Sequence, residues 1–279
     1  VWGEAKCVSP ARRARLMSLF DHLAAQIADL LIAHPVQQIA LLFATALVAG
    51  MARGFSGFGG ALIFVPLASA LAGPRVATPL LLVIDGVMTL GMLPDALKRA
   101  DRRQVATVLI GSLVGVPAGT ALLALAPPLA LRWAISLIVL GLLVFLISGW
   151  RYTGRPKLPL SIATGTVAGL FGGISQLSGP PVVAYWLGGA IPRATVRANL
   201  VVYFALASVI SAIFYVSAGL LTSASLLLAF AVGPGYGVGL LIGSSLFGLA
   251  DEATFRRICY TLIGAAALIS LPLMDNLLP

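Results

Sequence analysis

Apolar residues run along this chain in ten long blocks, and the charged residues gather in the short stretches between them. The blocks cover 36–52, 57–72, 76–96, 104–125, 130–150, 158–171, 177–190, 198–218, 223–248 and 257–274. They are continuously apolar, without the alternation over ~10-residue units that marks a transmembrane β-strand. Several, such as 76–96, 104–125, 130–150 and 198–218, reach the ~20 residues that a helix needs to cross a bilayer. The pattern predicts an all-α polytopic membrane protein.

Two pairs of blocks, 36–52 with 57–72 and 158–171 with 177–190, are shorter than the rest and are interrupted by glycine. A 14-residue helix is about 21 Å long, short of the ~30 Å hydrocarbon layer. Each pair therefore reads as a two-helix hairpin with a glycine-rich tip deep in the protein. Two short, steep crossings give the same parity.

Composition agrees with the pattern. Of the 279 residues 59% are apolar and 10% charged, where a soluble domain carries about a quarter charged residues; the mean hydropathy is +1.03. The net charge of +9 comes from 18 Lys and Arg against 9 Asp and Glu. These basic residues flank the apolar blocks and are not interleaved with aromatics, which excludes a nucleic-acid partner and names the lipid bilayer instead. Lys98, Arg99, Arg102 and Arg103 in the 97–103 loop share one side with Arg151, Arg155 and Lys157 in the 151–157 loop, and with Arg193, Arg197, Arg256 and Arg257. Arg75 and Arg132 fall on the other. By the positive-inside rule the first group is cytoplasmic.

The N-terminus disagrees with this orientation, because Arg12, Arg13 and Arg15 fall on the opposite side. Residues 1–34 read as an extension with an amphipathic helix, its apolar side carrying Leu19, Leu23, Ile27, Leu30 and Leu31. Met17 is a candidate natural start, with 1–16 an upstream extension. No small-residue cleavage site follows a short apolar core, so this is not a signal peptide. Cys7 and Cys259 lack CxxC spacing, and His22 and His34 read as surface residues, so neither a disulfide framework nor a metal site is expected.

The blocks also repeat. "VAGMARGFSGFGG" at 48–60 overlays "VAGLFGGISQLSG" at 167–179, aligning Gly54 with Gly173, Ser56 with Ser175 and Gly60 with Gly179. Pro74-Arg75 overlays Pro192-Arg193, and "VGVPAGTALL" at 114–123 overlays "VGPGYGVGLL" at 232–241. Three matches in one order, at offsets of 119, 118 and 118, indicate two repeats of about five helical segments each, over 35–152 and 153–279. An odd number of segments per repeat inverts one half relative to the other. Fusing each short pair into one broken crossing gives parallel repeats of four, which is the competing parse.

Irregular backbone inside a bilayer is tolerated only where protein or a water-filled cavity surrounds it. Breaks at matching positions of two halves point to a transporter's central site. Helix N-termini offer unpaired N–H groups and positive partial charge, and glycine lets a ligand approach the backbone, so the expected ligand is a small anion. The candidate site comprises Arg53, Gly54, Ser56, Gly57, Gly59 and Gly60 at the first break, and Gly173, Ser175, Gln176, Ser178 and Gly179 at the second. Arg197 and Asn199, at the start of the 198–218 block, are candidates to reach the same cavity. Asp85, the one acid well inside a spanning block, is the candidate for proton or ion coupling, or to balance a buried arginine. The glycines of "GSLVGVPAG" (111–119) and "GPGYGVG" (233–239) read as helix-packing glycines.

These paired halves, each opening on a signature such as "GFSGFGG" or "GLFGGISQLSGPP", resemble the sulfite exporter TauE/SafE family from about residue 36 to 274. The resemblance implies a multi-pass permease of the bacterial inner membrane for sulfite, sulfonates or related organosulfur anions. With no GxxxxGK[ST] motif, the chain hydrolyses no ATP and is expected to act as a secondary transporter by alternating access. No cofactor is called for, and nothing in the sequence weighs against a homo-oligomer. An anion channel is the alternative. An intramembrane enzyme is a weaker one, because no HExxH or GxSxG motif is present and no catalytic residues are named.

Overall fold

The computed structural model describes residues 30–57, 59–154, 156–187, 192–246 and 252–273, together with Ala25, Gln26 and Ala28. The first part of the expected amphipathic helix before residue 34, with Met17 and the arginines ahead of it, lies outside the described residues; its last turn is helical from Leu30, with Leu30 buried and Leu31 exposed. Among the described residues the helices after Pro35 are α1 (Val36–Ser56), α2 (Gly60–Ala72), α3 (Pro74–Leu90), α4 (Leu93–Arg99), α5 (Arg102–Leu125) and α6 (Pro128–Ser148). They continue with α7 (Leu158–Ser175), α8 (Gly179–Leu187), α9 (Arg193–Ser217), α10 (Ser223–Leu246) and α11 (Glu252–Ile269). Six of them, α1, α5, α6, α7, α9 and α10, are long and apolar enough to cross a bilayer; α3 and α4, bent by 68°, make a seventh span if taken together. The chain is an all-helical, multi-pass membrane protein.

Local sequence sets the helix ends. Proline opens α3, α6 and α7 within their first two positions, where a missing N–H is tolerated. Gly57 and Gly149 close α1 and α6 in the left-handed conformation, the usual glycine stop. Asp101 caps α5, its side chain accepting from the backbone N–H groups of Arg103 and Gln104 at 3.0 and 3.2 Å. Gly91 and Pro94 lie at the 68° bend between α3 and α4.

Two close helix pairs organise the core, and glycine makes both. A Cβ on Gly111, Gly115 or Gly119 of α5 would run into backbone carbonyls at Ile162, Thr166 or Leu170 of α7. A Cβ on Gly235, Gly239 or Gly243 of α10 would meet those of Phe43, Leu47 or Met51 of α1. Small residues at such spacing let backbones touch and gain dispersion where lipid supplies no hydrophobic drive. Residue numbers rise together in each pair, so α1 runs parallel to α10 and α5 parallel to α7. Large apolar side chains such as Val114, Val144, Phe230 and Leu241 project outward and are more than half exposed, the lipid-facing surface of such a bundle.

Hydrogen bonds fasten the two ends of the bundle. Arg75, at the start of α3, donates to the carbonyls of Leu123 and Ala126 at the end of α5, both at 3.1 Å. Arg132 reaches the Ser270 carbonyl at 3.2 Å. At the other end, Asn199 of α9 accepts from the Asp101 N–H at 2.7 Å, and the Tyr152 N–H donates to Ala184 of α8 at 3.1 Å.

One expectation changes. α1 and α7 are not short: they hold 21 and 18 residues, about 31 and 27 Å at 1.5 Å per residue. Of these two pairs only α2 and α8, with 13 and 9 described residues, are too short to cross. The helices outlast the first glycines of each break because Gly54 and Gly173 sit inside the packing seams, against Leu240 of α10 and Val116 of α5. There glycine serves contact and does not break the helix. The breaks are also staggered. Gly54 lies near the end of α10, beside the end of α3; Gly173 lies near the end of α5, beside Arg75 at the start of α3.

Candidate functional site

At the first break, Arg53 sits one turn before Gly57, where α1 stops in the left-handed conformation at φ 82°. Its guanidinium meets Asp85 of α3 in a fork, Nε to Oδ1 at 3.0 Å and Nη2 to Oδ2 at 3.2 Å. Nη1 donates back to the Gly57 carbonyl. The Tyr236 hydroxyl of α10 donates to the same Oδ1 at 2.8 Å. Phe204 of α9 lies under the guanidinium, 5.4 Å from ring centre to Cζ. The side chains of Arg53 and Asp85 are 14% and 27% exposed. Neither charge is cheap to hold alone within a membrane, and a two-point pair with further donors is the arrangement that satisfies both.

The second break is built differently. Its stop residue is Gln176, at φ 56°, the only non-glycine residue with positive φ among the described residues. Its Nε2 donates to the Gly172 carbonyl at 3.1 Å and to the Tyr215 hydroxyl at 3.2 Å. Tyr215 in turn donates to the Gly173 carbonyl at 2.7 Å. This network ties α7 to α9 and holds a side chain at the break where the first half has none.

Between the breaks is a chamber of ≈ 40 Å³, lined from the first half by Arg53, Ala61 and Asp85 and from the second by Gly172, Gln176, Ser178 and Gly179. α9 adds Tyr203, Phe204, Ser208 and Ser211 to the wall, and α10 adds Tyr236. Arg53, Asp85 and Phe204 also line a larger vestibule of ≈ 410 Å³ with Met88, Met92, Arg197, Leu200 and Ser244. These three shared residues form the partition between the two spaces. The vestibule lies toward the end of the bundle that carries the 97–103 loop.

The residues singled out from sequence fall into three groups. Arg53 and Asp85 line both spaces; Gln176, Ser178 and Gly179 line the chamber; Gly54, Gly57 and Arg197 line the vestibule. Gly59 and Gly60 form the start of α2, where a Cβ on Gly60 would crowd the Tyr236 hydroxyl. Gly173, Ser175 and Asn199 line neither space. Gly173 packs on α5, the Ser175 hydroxyl donates to Phe171 at 3.1 Å, and Asn199 holds the Asp101 turn. The side chain of Ser56 lies outside the described residues.

Five contributors were not singled out: Tyr236, Tyr203, Phe204, Ser208 and Ser211. Tyr236 sits inside "GPGYGVG", whose glycines do pack helices as read, while the tyrosine among them reaches Asp85. Ser208 and Ser211 stood in plain view as hydroxyls one turn apart in an apolar segment, a spacing that puts both on one helix face.

The chain matches the sulfite exporter TauE/SafE family over residues 42–269. It belongs to that family. The match spans both breaks and every residue of the chamber and vestibule named above. A relative from Cupriavidus necator, described as a probable sulfite/organosulfonate exporter TauE, is 28% identical over 230 residues, covering 78% of this chain and 88% of its own length. No solved structure matches the chain. A TauE/SafE member is a membrane transporter, and the geometry has the parts of one: two backbone breaks, a polar chamber between them, and a partition of side chains leading to a wider vestibule.

Proposed function

We propose that this TauE/SafE member is a secondary carrier that moves a small sulfur-containing anion, sulfite or an organosulfonate, across the bacterial inner membrane. The anion binds in the chamber between the two breaks, and access alternates between the two ends. The observation that carries this reading is the chamber itself, which side chains from both breaks line together. The start of α8 opens onto it at Gly179, offering positive partial charge to an anion.

In this reading the 97–103 and 151–157 loops are cytoplasmic, and the vestibule is the cytoplasmic entrance. Arg197, which pairs with no carboxylate among the described residues, attracts the anion there. The two halves are inverted repeats. α2 folds back along α1, with the Gln38 side chain donating to the Leu71 carbonyl. α3 then runs with α1, pairing Asp85 with Arg53, and its start meets the end of α5. α5 and the parallel α7 therefore run opposite to α1, which supports the inversion. Arg53 is engaged by Asp85, so an arriving anion and the carboxylate compete for one guanidinium. That competition makes Asp85 the group through which transport couples to a proton or another ion.

The test is flux of radiolabelled sulfite and of short organosulfonates in proteoliposomes. Saturable flux with counterflow exchange is expected. Absence of flux for every one of these anions, in both directions and with or without a pH gradient, would sink the reading; flux that never saturates and shows no counterflow would make the protein a channel.

A further inference from the structure

Serine hydroxyls on the helices of this chain commonly bond the carbonyl three or four residues back. Ser148 donates to Phe145, Ser175 to Phe171, Ser217 to Phe214, Ser244 to Leu241 and Ser245 to Ile242, all within 3.1 Å. Such back-bonding is the ordinary fate of a hydroxyl in an apolar helix. None of the serines that line the chamber keeps the habit. Ser178, Ser208 and Ser211 make no hydrogen bond to any protein group among the described residues, and all three line the chamber. Ser211 is only 2% exposed. These three hydroxyls stand free to bond whatever occupies the chamber, whereas the buried, unpartnered hydroxyls of Ser69 and Thr120 line neither space.

Resting on the transport reading above, we infer that Ser208 and Ser211 of α9, facing Ser178 at the start of α8, form the seat of the anion's oxygens. Two of these residues sit one turn apart on α9, and the third immediately precedes Gly179. Gln176, whose side chain is already tied to Tyr215, fixes the floor between them. The seat thus belongs to the second half and is neutral, while the charged pair belongs to the first. The repeat offsets place Gly172 where the first half has Arg53 and Tyr203 where it has Asp85. The Tyr203 hydroxyl is shared with Ser112 at 3.0 Å, so neither of these second-half positions carries a charge.

Size narrows the ligand. The ≈ 40 Å³ chamber is about a tenth of the ≈ 410 Å³ vestibule, with room for a compact head group and not for an extended ligand. That suits the –SO₃ head of sulfite or of a sulfonate. Any organic tail extends past Phe204 into the vestibule, whose wall there is Met88, Met92, Leu200 and Val201.

Calorimetric binding of sulfite and of methanesulfonate to the purified full-length protein tests the seat without requiring transport. Ser208→Ala and Ser211→Ala are each expected to weaken both ligands about tenfold, as loss of a hydrogen bond to a charged group does. Neither lowers the melting temperature, because neither hydroxyl holds another part of the protein. Ser217→Ala, which removes a back-bonded hydroxyl, is expected to leave both affinities at the wild-type value. Unchanged affinity in the Ser208→Ala/Ser211→Ala double variant would overturn the seat, as would weakening matched by lost thermal stability. A protein that binds sulfite through these serines yet moves none in vesicles would keep the seat and refute the carrier.

Discussion

Arg53 and Asp85 are held in place by each other more than by anything else. The guanidinium fork spans both carboxylate oxygens, and Tyr236 adds a third donor. Removing one partner leaves the other desolvated and unpaired, which typically costs about 3–5 kcal/mol, whereas replacing both with apolar residues costs far less. Asp85→Ala is therefore expected to lower stability by about that amount, and Arg53→Leu/Asp85→Leu to recover most of it. Thermal unfolding in detergent measures both; a double variant no more stable than Asp85→Ala would show that the pair is not the unit described. Gln176 presents the opposite case, a residue kept in a conformation that costs a non-glycine residue about 1–2 kcal/mol. Its first-half counterpart is Gly57, which carries no such cost. The difference is a side chain at the edge of the chamber.

At the scale of elements, glycine decides which helices touch. Gly115 faces the Thr166 carbonyl of α7 with no room for a methyl group, whereas Gly141 of α6 faces open space. Gly115→Ala is expected to force α5 from α7 and abolish a monodisperse preparation. Gly141→Ala is expected to be neutral or stabilising by up to about 1 kcal/mol, the helix propensity it gains. Size-exclusion profiles and melting temperatures separate the two outcomes, and equal effects would contradict the seam. The same glycines explain what the sequence made legible. Their spacing marked the seams, and the long apolar blocks marked the helices, with boundaries mostly within four residues. The length of α1 and α7 was hidden because "MARGFS" and "LFGGIS" read as broken helix until a neighbouring backbone is present to use Gly54 and Gly173. At the candidate site, Arg53, Gln176 and Ser178 were legible as polar residues at breaks, and Asp85 as the one acid well inside a spanning block. Tyr236 was not, because its link to Asp85 spans 151 residues and nothing local announces it.

For the whole molecule, the N-terminal and C-terminal halves of the chain divide the chemistry of the candidate site. The first supplies the charged partition, the second the polar chamber wall, and the close pairs α1–α10 and α5–α7 join each half to the other. On the proposed reading, an anion enters from the vestibule past Arg197, crosses the partition of Arg53, Asp85 and Phe204, and settles between the breaks. That account stands on where the anion rests. Selenite is a heavier pyramidal analogue of sulfite, and anomalous diffraction from crystals grown in saturating selenite locates it directly. The account predicts a selenium peak in the chamber, its oxygens about 3 Å from the hydroxyls of Ser178 and Ser211. A peak confined to the vestibule or the protein surface would contradict it.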